Sequence, residues 1–206
     1  DFSTPITSDG SWAVRVVGTH SDEDSWIDRY SNARDVAYAV VDGQLTPNTV
    51  LTVGYSYQNS ESSSPLWGAL PTVYADGTQT QWDPSTSNSM EWAFWDTRTK
   101  NAFAELMYEL PGDWRLKLVA SGSDYTEDSE TIWYDLRPDR NTGLGMTGWP
   151  GAYPGEAEVR FGDMALAGGF SLFGRDHQLV LGLNRNEDRI RNWTRNGPAD
   201  DPVWGE

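Results

Sequence analysis

Cysteine is absent, so the chain holds neither a disulfide framework nor a cysteine-based zinc site, and cysteine usage says nothing about its compartment. No stretch approaches the ~18 continuous apolar residues of a membrane-crossing helix. Asp1 is not followed by the charged and apolar regions of a secretion signal. Positive charge is scarce: 15 Lys and Arg against 31 Asp and Glu give a formal charge of -16. Phosphate binding wants a basic patch, so a nucleic-acid surface is excluded. The only histidines, His20 and His177, lie in different regions, which leaves a Ser-His-Asp or His-based zinc site without its parts. No Walker A or dinucleotide fingerprint is present, and Gly174 of LFGRDHQ is followed by strand-like sequence, not by a helix.

What is abundant is aromatic. Hydrophobic residues make up only 37% of the chain, yet it carries 11 Trp and 9 Tyr, far more rings than so polar a chain needs for a core. The clearest order is a period of two. In residues 50–59, Leu51, Val53, Tyr55 and Tyr57 alternate with Thr52, Gly54, Ser56 and Gln58, over a length that suits a tilted membrane strand. Residues 102–110 and 114–123 flank Pro111, Gly112 and Asp113, which is hairpin chemistry. Setting Leu110 opposite Trp114 places Tyr108 beside Leu116, Leu106 beside Leu118 and Ala104 beside Ala120, so one register gathers the apolar residues of both strands on one face. Glu109 then meets Arg115, a cross-strand ion pair in a wet interior worth at most about 1 kcal/mol, and Met107 meets Lys117. Similar runs at 12–21, 35–45, 158–171 and 178–185, with a stub at 1–6, bring the count to about eight strands.

Connections at 7–11, 46–49, 111–113 and 172–177 are short and alternate with long polar segments. Outer-membrane barrels have short periplasmic turns and long extracellular loops, with aromatic girdles bordering the lipid band. Trp12 and Trp114 each adjoin a short turn, where a periplasmic girdle lies. A soluble β-sandwich also alternates along its strands, but the connection over residues 60–100, roughly 40 residues long, is far beyond what a compact domain leaves unstructured without a function. The expected fold is an all-β, antiparallel outer-membrane β-barrel region of about eight meandering strands with long extracellular loops. A barrel closed by eight strands must fill its interior with side chains, whereas Thr52, Gly54, Ser56, Ser121, Gly162 and Gly182, read as inward, are small. Strand-like sequence at Asp1 and an acidic, loop-like end from Asn196 to Glu206 add to the expectation of a fragment of a wider barrel.

Four segments carry a sharper signal: DGQLTPNTVLTVGYSYQ (42–58), PLWGALP (65–71), NAFAELMYEL (101–110) and GGFSLFGRDHQLVLG (168–182). In this order they resemble an early part of the barrel of TonB-dependent ferric-siderophore receptors, and the resemblance covers nearly the whole chain. It implies a parent barrel of 22 strands around a plug, of which residues 1–206 are a partial barrel region lacking the plug and the C-terminal strands. It also implies active transport driven by the TonB complex acting on the missing plug region, with the lipid bilayer of the bacterial outer membrane around the strands.

Ferric siderophores are bulky and polar, so their receptor needs aromatic walls and hydrogen-bonding groups at the extracellular mouth, not ligands for bare iron. No catalytic residue, resident cofactor or protein metal site is expected, the iron arriving as its siderophore complex. Trp26, Trp67, Trp82, Trp92, Trp95, Trp133, Trp149, Trp193 and Trp204 fall in the long segments. Within the longest, Trp67, Tyr74, Trp82, Trp92 and Trp95 are the ligand candidates, Trp67 foremost because it lies in PLWGALP. The plainer reading is that several of them pack the loop or sit in the outer girdle. The rival from another class is a carbohydrate-binding or carbohydrate-active all-β protein. Against its simplest form, Glu105 and Glu109 share a strand face about 13 to 14 Å apart, whereas glycosidase carboxylates stand roughly 5 to 9.5 Å apart. A cross-strand pair such as Glu105 with Asp163 stays open, as does the identity of the siderophore.

Overall fold

Alternating apolar and polar residues, cut by short turns, build one antiparallel sheet and no second layer. The computed structural model describes residues 1–196; Trp204 and the loop-like end at 197–206 lie outside the described residues. The strands are β1 (Phe2–Pro5), β2 (Trp12–Asp24), β3 (Ser31–Thr46), β4 (Thr49–Ser63), β5 (Phe94–Leu110), β6 (Trp114–Asp135), β7 (Thr147–Ala152), β8 (Gly155–Leu172), β9 (Arg175–Asn192) and β10 (Arg195–Asn196). β1 to β6 pair in chain order. At β6 the sheet forks: residues 115–127 pair with β8 and residues 130–135 with β7, which also pairs β10. Among the described residues β1 pairs only β2 and β9 only β8, so the sheet is not closed.

The register expected for the central hairpin is the one found: Leu110 pairs Trp114, Tyr108 pairs Leu116, Leu106 pairs Leu118, Ala104 pairs Ala120 and Glu109 pairs Arg115. Gly112 and Asp113, with φ of 76° and 60°, make the tight turn, conformations that glycine and aspartate tolerate better than most residues. All eight expected strands are present. The long strands run further than the alternation suggested, since β4 reaches Ser63, β5 begins at Phe94 and β6 ends at Asp135. The long connection is therefore residues 64–93, not 60–100, and Trp95 and Trp133 stand on strands.

The two faces differ in kind. One carries Val14 and Val16 on β2, Leu51, Val53 and Tyr55 on β4, Leu106 on β5, Leu118 on β6, Met164 on β8 and Leu181 and Leu183 on β9, joined by the ladder registers. These residues are not buried by protein: Val53 is 46% exposed, Met164 45% and Leu183 67%, while the buried hydrophobic residues among those described are Val40, Ala93 and Ile132. A sheet that exposes so continuous an apolar face has no core of its own and needs an apolar surrounding. After four or five outward residues the same face turns polar on every long strand, at His20, Asp35, Asn59, Lys100, Asp124, Arg160 and Arg185. This polar border caps the membrane-spanning part, which ends on β6 at about Gly122.

The opposite face is wet and locally neutralised. Arg115 meets Glu109 at 2.6 Å, Lys117 meets Glu105 at 2.9 Å and Arg15 meets Asp1 at 2.7 Å. Gly182, which pairs Ala165, lies on it as expected, but Gly162 does not: it pairs Ala120 and belongs to the apolar face. Small residues have a second use on that face. The indoles of Trp12 and Trp114 lie over Gly43 and Gly168, where a Cβ would overlap the ring, and so form the girdle beside the short turns. Gly168→Val is expected to lift Trp114 and cost about 1–3 kcal/mol, the price of overpacking. Gly162→Ala, where a Cβ meets nothing, is expected to be near neutral. Urea midpoints of the receptor in lipid vesicles check the pair; equal midpoints would refute this packing.

Candidate functional site at the extracellular mouth

Beyond the polar border the strands continue as a wall that the long connections cover. Three connections are tied together. The backbone N–H of Asp28 donates to the Ser85 carbonyl at 2.8 Å, a guanidinium nitrogen of Arg29 donates to the Ser87 carbonyl at 3.1 Å, and the N–H of Ala75 donates to the Pro138 carbonyl at 2.9 Å. Within them, aspartates act as turn formers. Asp76 is held below the ordinary carboxylate range by the Thr78 hydroxyl and N–H, and Asp139 by the N–H groups of Thr142 and Asn141 and the Thr142 hydroxyl. These turns gain stability from ionised carboxylates above the usual carboxylate range and lose it as pH falls below that range.

The inner face of β5 and β6 carries Trp95 and Thr97 beside Ser129, Glu127 and Tyr125, because Trp95 pairs Ser129 and Thr97 pairs Glu127. Trp67, at the start of the long connection, lies on this face with its ring centroid 5.1 Å from Trp95, tilted, and 5.4 Å from Tyr153, stacked. Tyr153 is fixed by its backbone N–H, which donates to the Ser129 carbonyl at 2.8 Å. Trp193, half exposed, completes the rim, and its backbone N–H donates to the Pro154 carbonyl at 3.0 Å. Together with Glu127, Gly155, Asn192 and Thr194 these rings line a cup of about 220 Å³. Tyr125 donates its phenol proton to Glu127 Oε2 at 2.8 Å. Burial first, and then this bond, push the phenol up to about 12, so it remains a donor throughout the physiological range.

The five sequence candidates separate. Trp67 and Trp95 meet in the cup. Tyr74 and Trp82 pair with each other instead, at 6.4 Å, and the Trp82 indole N–H donates to the Pro71 carbonyl at 2.8 Å. Trp82 also borders a second, mostly apolar cleft of about 300 Å³ with Arg29, Leu70, Met90, Tyr134 and Met146. Tyr134 belongs to the alternation of Leu116 and Leu118, so that cleft sits against the other alternation of β6 from Glu127. Trp92 is half-buried just ahead of β5 and does not line the cup. Tyr153, Tyr125 and Glu127 join the site beyond the sequence candidates: continuing the β6 alternation past Ser123 places the last two on the inner face, whereas nothing in WPGAYPGE singles out Tyr153. The carboxylates of the carbohydrate rival do not form a free pair: Glu105 is bound to Lys117, and Asp163 lies two strands away, both across from Val119.

A single-layer meander with an apolar band, aromatic girdles beside short turns, and long connections gathered at one end defines a region of an outer-membrane β-barrel. The comparisons with known proteins place it further. The ferric-pyoverdine BN7/BN8 receptor of Pseudomonas putida is 30% identical over 207 residues, matching 100% of this chain and 24% of its own length. The ferripyoverdine receptor of Pseudomonas aeruginosa is 28% identical over 227 residues, matching 100% of this chain and 27% of its own. The crystal structure of the Pseudomonas aeruginosa receptor bound to ferripyoverdine superposes with a TM-score of 0.87 at 25% identity, over 93% of this chain and 26% of that one. The ferric-catecholate import receptor Fiu of E. coli, at 15% identity and a TM-score of 0.78, shares the fold. No family model matches the chain. The chain thus matches a partial region of the barrel of ferric-siderophore receptors of the outer membrane, a family of transport receptors. It spans about a quarter of the length of the curated relatives it matches.

Proposed function

We propose that the receptor containing this chain takes up a ferric siderophore of the pyoverdine class across the outer membrane, and that the cup of Trp67, Trp95, Tyr153 and Trp193 is part of its ligand wall. The observation that carries this reading is that the cup unites two of the aromatic candidates on the inner face at the extracellular end, in a chain whose relatives are ferric-pyoverdine receptors. A ligand entering from outside meets these rings before it reaches the ion-paired wall below. Flat aromatic surface with a few polar groups is what binds a bulky, polar, partly planar complex. In the same proposal residues 1–206 are a partial barrel domain, a plug fills the lumen of the complete receptor, and the TonB complex acts through that plug. Iron is cargo within its chelate, so the wall needs no ligand for the bare ion.

The test is a panel of ferric siderophores added to the full-length receptor in outer-membrane vesicles, read by quenching of tryptophan fluorescence. Saturable quenching by a ferric pyoverdine, with uptake of its iron, is the expected result. No response to any ferric siderophore would overturn the proposal, and binding of a glycan instead would favour the carbohydrate class.

A further inference from the structure

Among the described residues that line the cup, Glu127 carries the one charged side chain. It is half-buried on the inner face, and its recorded partner is the Tyr125 phenol on Oε2. No ion pair reaches it among the described residues, and no Lys or Arg lines the cup. Lower on the same face Asp1, Glu105 and Glu109 each have a cation within 3 Å, whereas Asp42 there is held by the Thr52 hydroxyl; what sets Glu127 apart is the ring of aromatic side chains around it. Apart from that phenol, its surroundings in the cup are aromatic faces. Trp67, Trp95, Tyr153 and Trp193 around a carboxylate make the arrangement that holds an alkylammonium group, the rings acting through their quadrupoles and the carboxylate through its charge. Gly155, opposite Glu127 in the ladder, leaves the floor open, since a Cβ there would approach Asn192 Oδ1 at 3.1 Å.

We infer that the cup binds a positively charged alkylammonium arm of the ferric siderophore, with Glu127 as the residue that selects for it. The inference rests on the ligand reading above and narrows it to siderophores that carry such an arm. Tyr125 is a positioning residue: its phenol holds one carboxylate oxygen and leaves Oε1 for the ligand.

The experiment uses the full-length receptor in vesicles and the ferric siderophore that saturates its quenching, compared with the same molecule after N-acetylation of its amines. In the wild type, acetylation is expected to weaken binding about tenfold, the order of a partly desolvated cation–π and ion-pair contact. Glu127→Gln, which keeps the acceptor for Tyr125, is expected to weaken the amine form to the level of the acetylated form and leave the acetylated form unchanged. The inference is overturned if the saturating ligand has no ammonium group, if acetylation changes nothing, or if Glu127→Gln weakens both forms alike. Trp67→Ala separates the two levels: a wild-type response there removes the cup from the ligand site altogether, while a loss there with no Glu127 selectivity removes only the ammonium inference.

Discussion

Leu118→Arg is expected to cost about 2–4 kcal/mol and to keep much of the receptor from assembling in the membrane, the penalty for a cation at the lipid midplane of a β-barrel. Leu118 sits in the middle of the apolar face of β6, between Leu106 on β5 and Met164 on β8, and is 37% exposed in the isolated sheet. No described residue covers its outer side, so the free energy of the exchange is set by the medium. Ser121→Arg provides the control, because Ser121 faces the wet side of the same strand, between Phe103 and Phe161, where a guanidinium keeps its water. Urea titration of both variants in lipid vesicles reads the difference. A Ser121→Arg cost matching that of Leu118→Arg would mean that the two faces do not differ in solvent, and folding of either variant in buffer without lipid or detergent would return the argument to a soluble sandwich.

The same asymmetry explains what the sequence made legible. Where one face meets lipid and the other water, alternation is sharp, and it yielded the central hairpin down to the pairing of Leu110 with Trp114. Above the polar border both faces are wet, so Asp96 and Arg98 on β5 or Thr126 and Asp128 on β6 look like loop although they continue the strands. β7 escaped for a different reason: Thr147–Ala152 contains Pro150 and two glycines, and its strand character comes from being held between β6 and β10. Gly162 stands on the apolar face, against the expectation that small residues mark the lumen. On the lipid side small residues also occur, at Gly43 and Gly168 to admit the Trp12 and Trp114 rings and at Gly162 with open space around it. Of the candidate site, Trp67 and Trp95 were legible as residues but not as a pair. Twenty-eight positions separate them, and only the fold of residues 64–93 brings the rings to 5.1 Å.

That pairing makes Trp67 the position where substitution should most reduce ligand affinity. Trp67→Ala removes the ring between Trp95 and Tyr153, and truncation of a central aromatic anchor ordinarily costs about 2 kcal/mol or more, equivalent to roughly 30-fold weaker binding. Part of any such loss would come from Trp95 and Tyr153 settling into the vacated space, so Trp67→Phe is the informative companion: it keeps an aromatic face in place and should recover most of the affinity. Trp82→Ala tests the division of labour among the loop aromatics. Trp82 is held by Tyr74 and the Pro71 carbonyl, so its loss should loosen the connection, visible as faster proteolysis of residues 64–93, while affinity for the ferric siderophore stays within a fewfold of wild type. If Trp82→Ala abolished binding and Trp67→Ala did not, the ligand would sit in the cleft with Arg29 and Tyr134, on the opposite alternation of β6 from Glu127.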